Sequence, residues 1–150
     1  MPSNRREFTA LTLGLGSLII MPNLAQARPL APFQWQYRPL VVFAPGREHA
    51  DYKSQIEAIE QNRMAFDERD MLLVSVLDRV ELDATPPPTT TMPASAGALR
   101  QHYRVEAEEF TVILVGKDGG EKGRWESPIT MDEVFATIDT MPMRQREMQR

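Results

Sequence analysis

The sequence contains no cysteine. Without a thiol the chain can form no disulfide, no thiolate metal site and no sulfur nucleophile, so thiol–disulfide oxidoreductase and peroxiredoxin chemistry are excluded in any compartment. Histidine is almost as scarce: His49 and His102 are the only two. Distant in sequence and without a nucleophile or an orienting partner, they make no general-base argument, and no catalytic residue is assigned. A positive balance is missing too. The formal charge is −4 over 150 residues, whereas nucleic acid and anionic lipid both demand clustered lysine and arginine. Nor is there a long hydrophobic run: Phe8 to Met21 is diluted by Thr9, Thr12, Gly14, Gly16 and Ser17, and a bilayer-spanning helix needs about 20 apolar residues. What remains, with 42% hydrophobic and 25% charged residues, is the composition of one globular domain.

The short apolar run has the layout of an address. Arg5 and Arg6 precede it, and Ala25-Gln26-Ala27 supplies small residues where a signal peptidase reads. Residues 1–27 are therefore expected to be a cleavable signal peptide, cut between Ala27 and Arg28. The arginine pair followed by Glu7 and Phe8 resembles the twin-arginine export signal; the alternative is the positive region of a general secretory signal. Either route leads to the periplasm or the extracellular space, with no stable membrane insertion after cleavage. Losing two arginines and one glutamate moves the net charge of the mature chain from −4 to −5.

In the mature chain, Leu40 to Ala44 is an apolar run closed by Pro45-Gly46, the pattern of a strand buried on both faces followed by a turn. From about 48 to 68, Tyr52, Ile56, Ile59 and Phe66 recur at helical spacing, which predicts one amphipathic helix. Met71 to Leu77 reads as a central strand. The stretch Ala84 to Gly97, with three consecutive prolines and three consecutive threonines, supports neither ladder nor helix. Ala98 to Tyr103 can form a short helix, and Phe110 to Val115 a third apolar strand. Lys117-Asp118-Gly119-Gly120 then predicts a tight hairpin that returns Lys122 to Glu126 antiparallel to it. Thr130 with Glu133 forms a capping box, and Met131, Val134, Phe135, Ile138 and Met141 fill one helical face before Pro142 stops it. The order β-α-β-α-β-β-α, ending in an antiparallel hairpin and a helix, predicts an α/β thioredoxin-like three-layer sandwich with a central mixed sheet. The domain is expected over 28–141, with 142–150 a polar C-terminal tail.

Trp35, the run Leu40 to Pro45, the strand and turn from Phe110 to Gly120, and the ending Ile138 to Arg144 resemble the prokaryotic DUDES family. This is a domain-of-unknown-function family of small exported proteins with a thioredoxin-like fold, and related domains occur in vertebrate sushi-repeat extracellular proteins. The resemblance covers nearly the whole mature chain, with Gly-Lys-Asp-Gly-Gly and Met-Pro-Met-Arg its specific parts. It implies the fold and an exported location, and it carries no established reaction.

Thioredoxins place their reactive pair after the first core strand, at the start of the first long helix, where the helix N-terminus lowers the thiol pKa. Aligning on Ala44 puts Arg47 and Ala50 where the two cysteines would stand. The entry to the third core strand, Val105 to Phe110, also lacks the proline that thioredoxins carry there.

Several groups remain as binding candidates. Arg47 and His49 near a helix start could hold an anion, the alternative being a solvated loop. Lys117 and Asp118 in the glycine turn, with Arg124 nearby, could contact a ligand or simply form the turn. Met141 and Met143, with Met148 close by, offer thioether sulfur of the kind that suits Cu(I), although Met141 also fits the apolar face of the last helix. Glu106, Glu108 and Glu109 lack the glycine-centred loop of a calcium site and read as a solvated acidic loop. The sequence is therefore read as an exported, non-enzymatic binding or adaptor module without a cofactor, whose partner is an envelope protein or a small ligand. The alternatives are a non-thiol enzyme using Arg47, His49 or the Lys117–Gly120 turn, and metal binding through the C-terminal methionines.

Overall fold

The computed structural model describes residues 28–150; the expected signal peptide, with Ala27 at its cleavage point, lies outside the described residues. At the centre of the sheet is β1 (Arg38–Phe43), every residue of which is buried. It runs parallel to β2 (Met71–Val76), and the connection between them carries α1 (Ala50–Gln61) and α2 (Arg63–Glu68). A tight reversal leads from β2 into β3 (Val80–Asp83), which pairs antiparallel to β2 at one edge. After α3 (Ala96–Tyr103), β4 (Thr111–Val115) pairs antiparallel to β1, and β5 (Glu121–Trp125) pairs antiparallel to β4 at the other edge. The chain closes with α4 (Met131–Asp139) and α5 (Pro142–Met148). The strand order β3-β2-β1-β4-β5 is that of a thioredoxin-like mixed sheet with one added edge strand.

Successive residues of a strand point to opposite faces, and this sheet is covered on both. Leu40, Val42, Leu73, Val112 and Leu114 meet Ile59, Phe66, Val134 and Ile138 of α1, α2 and α4. Val41, Phe43, Leu72, Val74 and Ile113 meet Phe33, Leu99 and Tyr103 on the other side. Burial on both faces is why the three central strands are continuous apolar runs rather than alternating ones.

Three elements differ from expectation. The helix predicted over 48–68 is two helices, broken at Asn62 (φ −119°, ψ 24°), whose side-chain amide donates to the Ala58 carbonyl at 2.8 Å and so competes with the helical ladder. Strand β3 was not anticipated; its sequence Val-Glu-Leu-Asp is short and half charged, as an edge strand tolerates. The segment 142–150, expected as a polar tail, is mostly helical: Pro142 ends α4 but occupies the first turn of α5, where its missing N–H has no partner to lose. Arg144 of that helix is 5% exposed.

Candidate functional site

The carboxyl ends of β1 and β2 are where thioredoxins carry their thiols. Here Arg47 and Ala50, the two cysteine-equivalent positions, are both exposed. Arg47 pairs with Glu81, whose carboxylate also takes a bond from Arg79 at 3.1 Å. The Arg47 contact holds the Glu81 carboxyl below its usual range. His49 stacks on Phe110 with ring centroids 6.0 Å apart, and its buried Nδ1 has no partner among the described residues. The Arg100 guanidinium donates to the carbonyls of Ala44 at 2.7 Å, Val76 at 3.1 Å and Glu106 at 3.0 Å. Burial lowers the pKa of this arginine. The place of the redox site is thus occupied by one side chain that satisfies the ends of both parallel strands.

The opposite end is built differently. Pro39 has no N–H to donate, and the β1–β4 register begins only at Leu40 opposite Leu114. Arg38, one residue earlier, turns a fully buried guanidinium to the carboxylate of Glu147 through two bonds of 3.2 and 3.1 Å, and to the Arg69 carbonyl at 2.9 Å. Lys117, just past β4, reaches both Glu147 and Asp70 at 2.8 Å. Burial alone would raise the Glu147 pKa, but bonds from Arg38 and Lys117 outweigh it and the net shift is downward. Next to this core, Asp139 receives Arg69 at 3.0 and 2.8 Å and Arg144 at 3.2 Å, and its pKa falls, chiefly through the Arg69 bond. Arg144 also reaches Glu68 at 3.1 Å.

The glycine turn shapes the rim. Gly119 has φ 84°, open to glycine at little cost. Asp118 accepts from Gly120 N–H at 3.0 Å and from Lys122 Nζ at 2.9 Å, and the Lys122 bond is the main reason its pKa is lowered. Gly116 lets these two side chains lie against the backbone: a Cβ there would stand 2.6 Å from Lys122 Cε. Trp35 donates its N–H to the Lys117 carbonyl at 2.7 Å and has φ 70° with a side chain left exposed, the residue being 63% accessible. Together these segments enclose a cleft of about 470 Å³ between Trp35, Arg38, the 116–118 turn, Lys122 and residues 140–143, with Arg146 on its wall.

Of the residues singled out in the sequence, Lys117, Asp118, Met141 and Met143 meet in this cleft. Arg47 and His49 do not, because they follow the carboxyl end of β1 while Lys117 follows the carboxyl end of the antiparallel β4. Arg124 pairs with Glu121 at 2.7 Å and stands opposite Ile113, on the face covered by α3. Among the described residues, no group of three or more histidines and carboxylates is arranged to hold a metal ion.

Residues 29–147 match the family model described as a domain of unknown function, DUF4174. The chain belongs to the DUF4174 family. Among its relatives, the rat Sushi repeat-containing protein SRPX2 is 30% identical over 128 residues, covering 81% of this chain and 26% of that protein. The rat Sushi repeat-containing protein SRPX is 29% identical over 126 residues, 79% of this chain and 26% of the relative. The zebrafish Coiled-coil domain-containing protein 80 is 26% identical over 133 residues, 79% and 15% respectively. The DUF4174 chain therefore spans about a quarter or less of the curated relatives it matches. Among its described residues no helix is long and apolar enough to cross a membrane. Sequence reasoning missed Arg38, Lys122 and Arg146 of the DUF4174 cleft. The one available signal was Arg38 itself, an arginine placed directly against an otherwise apolar strand.

Proposed function

We propose that this DUF4174 domain is an exported, non-enzymatic binding or adaptor module of the cell envelope that seats its ligand or partner segment in the Trp35–Arg38–Lys117 cleft. One observation carries the reading. Trp35, Gly116–Asp118 and Met141–Met143, which belong to segments that resemble the prokaryotic DUDES family, line a single cleft. The absence of cysteine removes thiol chemistry from a scaffold known for it, and Arg100 stands on the Ala44 and Val76 carbonyls at the carboxyl ends of β1 and β2. The resemblance to exported proteins and the arginine pair ahead of a short apolar run support export.

The enzymatic alternative is weakened because Arg47 and His49 share no pocket with the Lys117–Gly120 turn. Methionine-borne metal binding is weakened too: Met141 and Met143 line the cleft together, but so do Arg38, Lys117, Lys122 and Arg146, and like charge repels a metal cation. Met148 stays outside it, half exposed.

The test is a thermal-shift screen of the purified protein against divalent metals, Cu(I), common anions and envelope metabolites, with a pull-down from envelope extract, followed by amide shift mapping of each hit. A saturable rise whose shifts centre on Trp35, Lys117 and Met143 is the expected result. Shifts confined to the Arg47–His49 end, or a flat screen together with an empty pull-down, would overturn the reading.

A further inference from the structure

We infer that the cleft binds a planar organic oxyanion, a ring bearing a phosphate or carboxylate group, with its ring against the Trp35 indole and its charged end between Lys117, Lys122 and Arg146. The inference rests on the cleft being the ligand seat and adds what it recognises.

Charge is the first argument. The mature chain is acidic overall, yet four cations line this one cleft, with Asp118 the only carboxylate on its walls among the described residues. Their demand is incompletely met from within. Glu147 is shared between Arg38 and Lys117, Lys117 also pairs with Asp70, and Asp118 serves Lys122, which leaves the Arg146 side chain as the cleft cation with no hydrogen bond or ion pair among the described residues. Arg38 is fully buried and lines the cleft, and its Nε finds no acceptor among the described residues. That nitrogen is sealed from solvent, so Arg38 adds positive potential beneath the cleft rather than a contact to a ligand. Guanidinium and ammonium groups in this arrangement match the oxygens of a phosphate or carboxylate.

Trp35 is the second argument, and it is independent of the first. A bulky residue in the left-handed region is strained, and Trp35 is held there at φ 70° by its own N–H bond to Lys117. The strain leaves a large aromatic side chain exposed on the cleft wall instead of in the core. With the thioethers of Met141 and Met143 beside it, that wall offers a flat apolar surface to a ring and polarisable sulfur to its edge. A volume of about 470 Å³ lies within the range of small-ligand pockets.

The protein is titrated with phenyl phosphate, benzoate, inorganic phosphate and phenol, with binding followed through the indole and amide resonances. Phenyl phosphate or benzoate, whichever headgroup is preferred, is expected to saturate and to bind roughly three- to tenfold tighter than the matching ring-free anion. Trp35→Asn, which tolerates the left-handed backbone, removes that advantage and leaves inorganic phosphate binding unchanged. The double variant Lys122→Ala, Arg146→Ala, confined to exposed side chains, weakens both phosphates about fivefold. Equal affinity for ring-bearing and ring-free anions, or tighter binding of phenol than of either anion, would overturn the inference while the cleft remained the seat. Anion-induced shifts only at the Arg47–His49 end would overturn both.

Discussion

Glu147 is the one carboxylate that meets both Arg38 and Lys117, and replacing it by glutamine isolates the charge of the buried network from its shape. The Arg38 side chain is 1% exposed and that of Glu147 is 25% exposed. Breaking a buried ion pair by removing one partner costs about 3–5 kcal/mol. Three features reduce the figure here. The amide oxygen of Glu147→Gln still accepts one bond, Arg38 keeps the Arg69 carbonyl, and Lys117 keeps Asp70. A loss of about 2–3 kcal/mol is expected, which for a domain of this size lowers Tm by roughly 8–12 °C. The pH dependence carries a second signature. The folded-state pKa of Glu147 lies below its ordinary value of 4.5, so its stabilisation is fully present above that value and disappears as pH falls through the lower, folded one. Urea unfolding followed by circular dichroism at pH 7, 5 and 3.5 compares the two proteins. Their stabilities should differ most at neutral pH and converge in acid. A difference under about 0.5 kcal/mol at pH 7, within the range of ordinary surface substitutions, or one that persists unchanged in acid, would refute the account of the network.

Gln55→Leu should cost about 2–4 kcal/mol in the same unfolding assay, because the buried amide both accepts from Ile129 N–H at 2.8 Å and donates to its carbonyl at 3.2 Å, and leucine leaves both groups unpaired. Arg100→Met should cost only about 1 kcal/mol, since water can reach this half-buried site, but it should speed amide exchange at the carboxyl ends of β1 and β2, where the guanidinium now serves Ala44 and Val76. In an absorbance titration compared with Tyr103→Phe, Tyr103 should ionise late: burial pushes it up to about 12. A raised folded pKa means that this contribution to stability is intact below the ordinary value of 10 and is lost between there and about 12. A titration in which Tyr103→Phe removes a phenol that ionises near 10 in the folded protein would contradict it.

The two ends of the sheet divide the molecule's chemistry. At the thioredoxin end, Arg47 and Arg79 share Glu81 and Arg100 caps the termini of β1 and β2, while His49 Nδ1 has no partner among the described residues. At the other, Glu147 is shared between Arg38 and Lys117, Asp70 adds a second partner to Lys117, and the exposed Arg146 side chain has no partner among the described residues. An unbalanced, partly open group of charges beside an exposed strained indole is the arrangement in which an outside molecule has most to add.

Much of the scaffold was legible in the linear pattern. Leu40 to Ala44, Met71 to Leu77 and Phe110 to Val115 announce central strands because burial on both faces demands unbroken apolar residues. Thr130 and Glu133 announce a helix start, and Thr130 Oγ1 does accept from Glu133 N–H, at 3.4 Å. Asp118-Gly119-Gly120 announces a hairpin because a left-handed residue is needed there. The break at Asn62, the strand β3 and the helix α5 were hidden, since each is a short polar segment whose structure comes from what it packs against rather than from its own period.

By itself, then, the sequence determined that no sulfur chemistry is possible, that three strands fill the middle of one sheet, and that Lys117, Asp118, Met141 and Met143 deserved scrutiny. Only the tertiary structure decided that these four belong together with Trp35, Arg38, Lys122 and Arg146, and that Arg47 and His49 lie elsewhere. The reason is geometric: β4 runs antiparallel to β1, which carries residue 117 back to the start of β1, and α5 then brings Glu147 to Arg38 across 109 positions of chain. Contacts of that separation follow from strand direction and packing, which local patterns of residues do not encode.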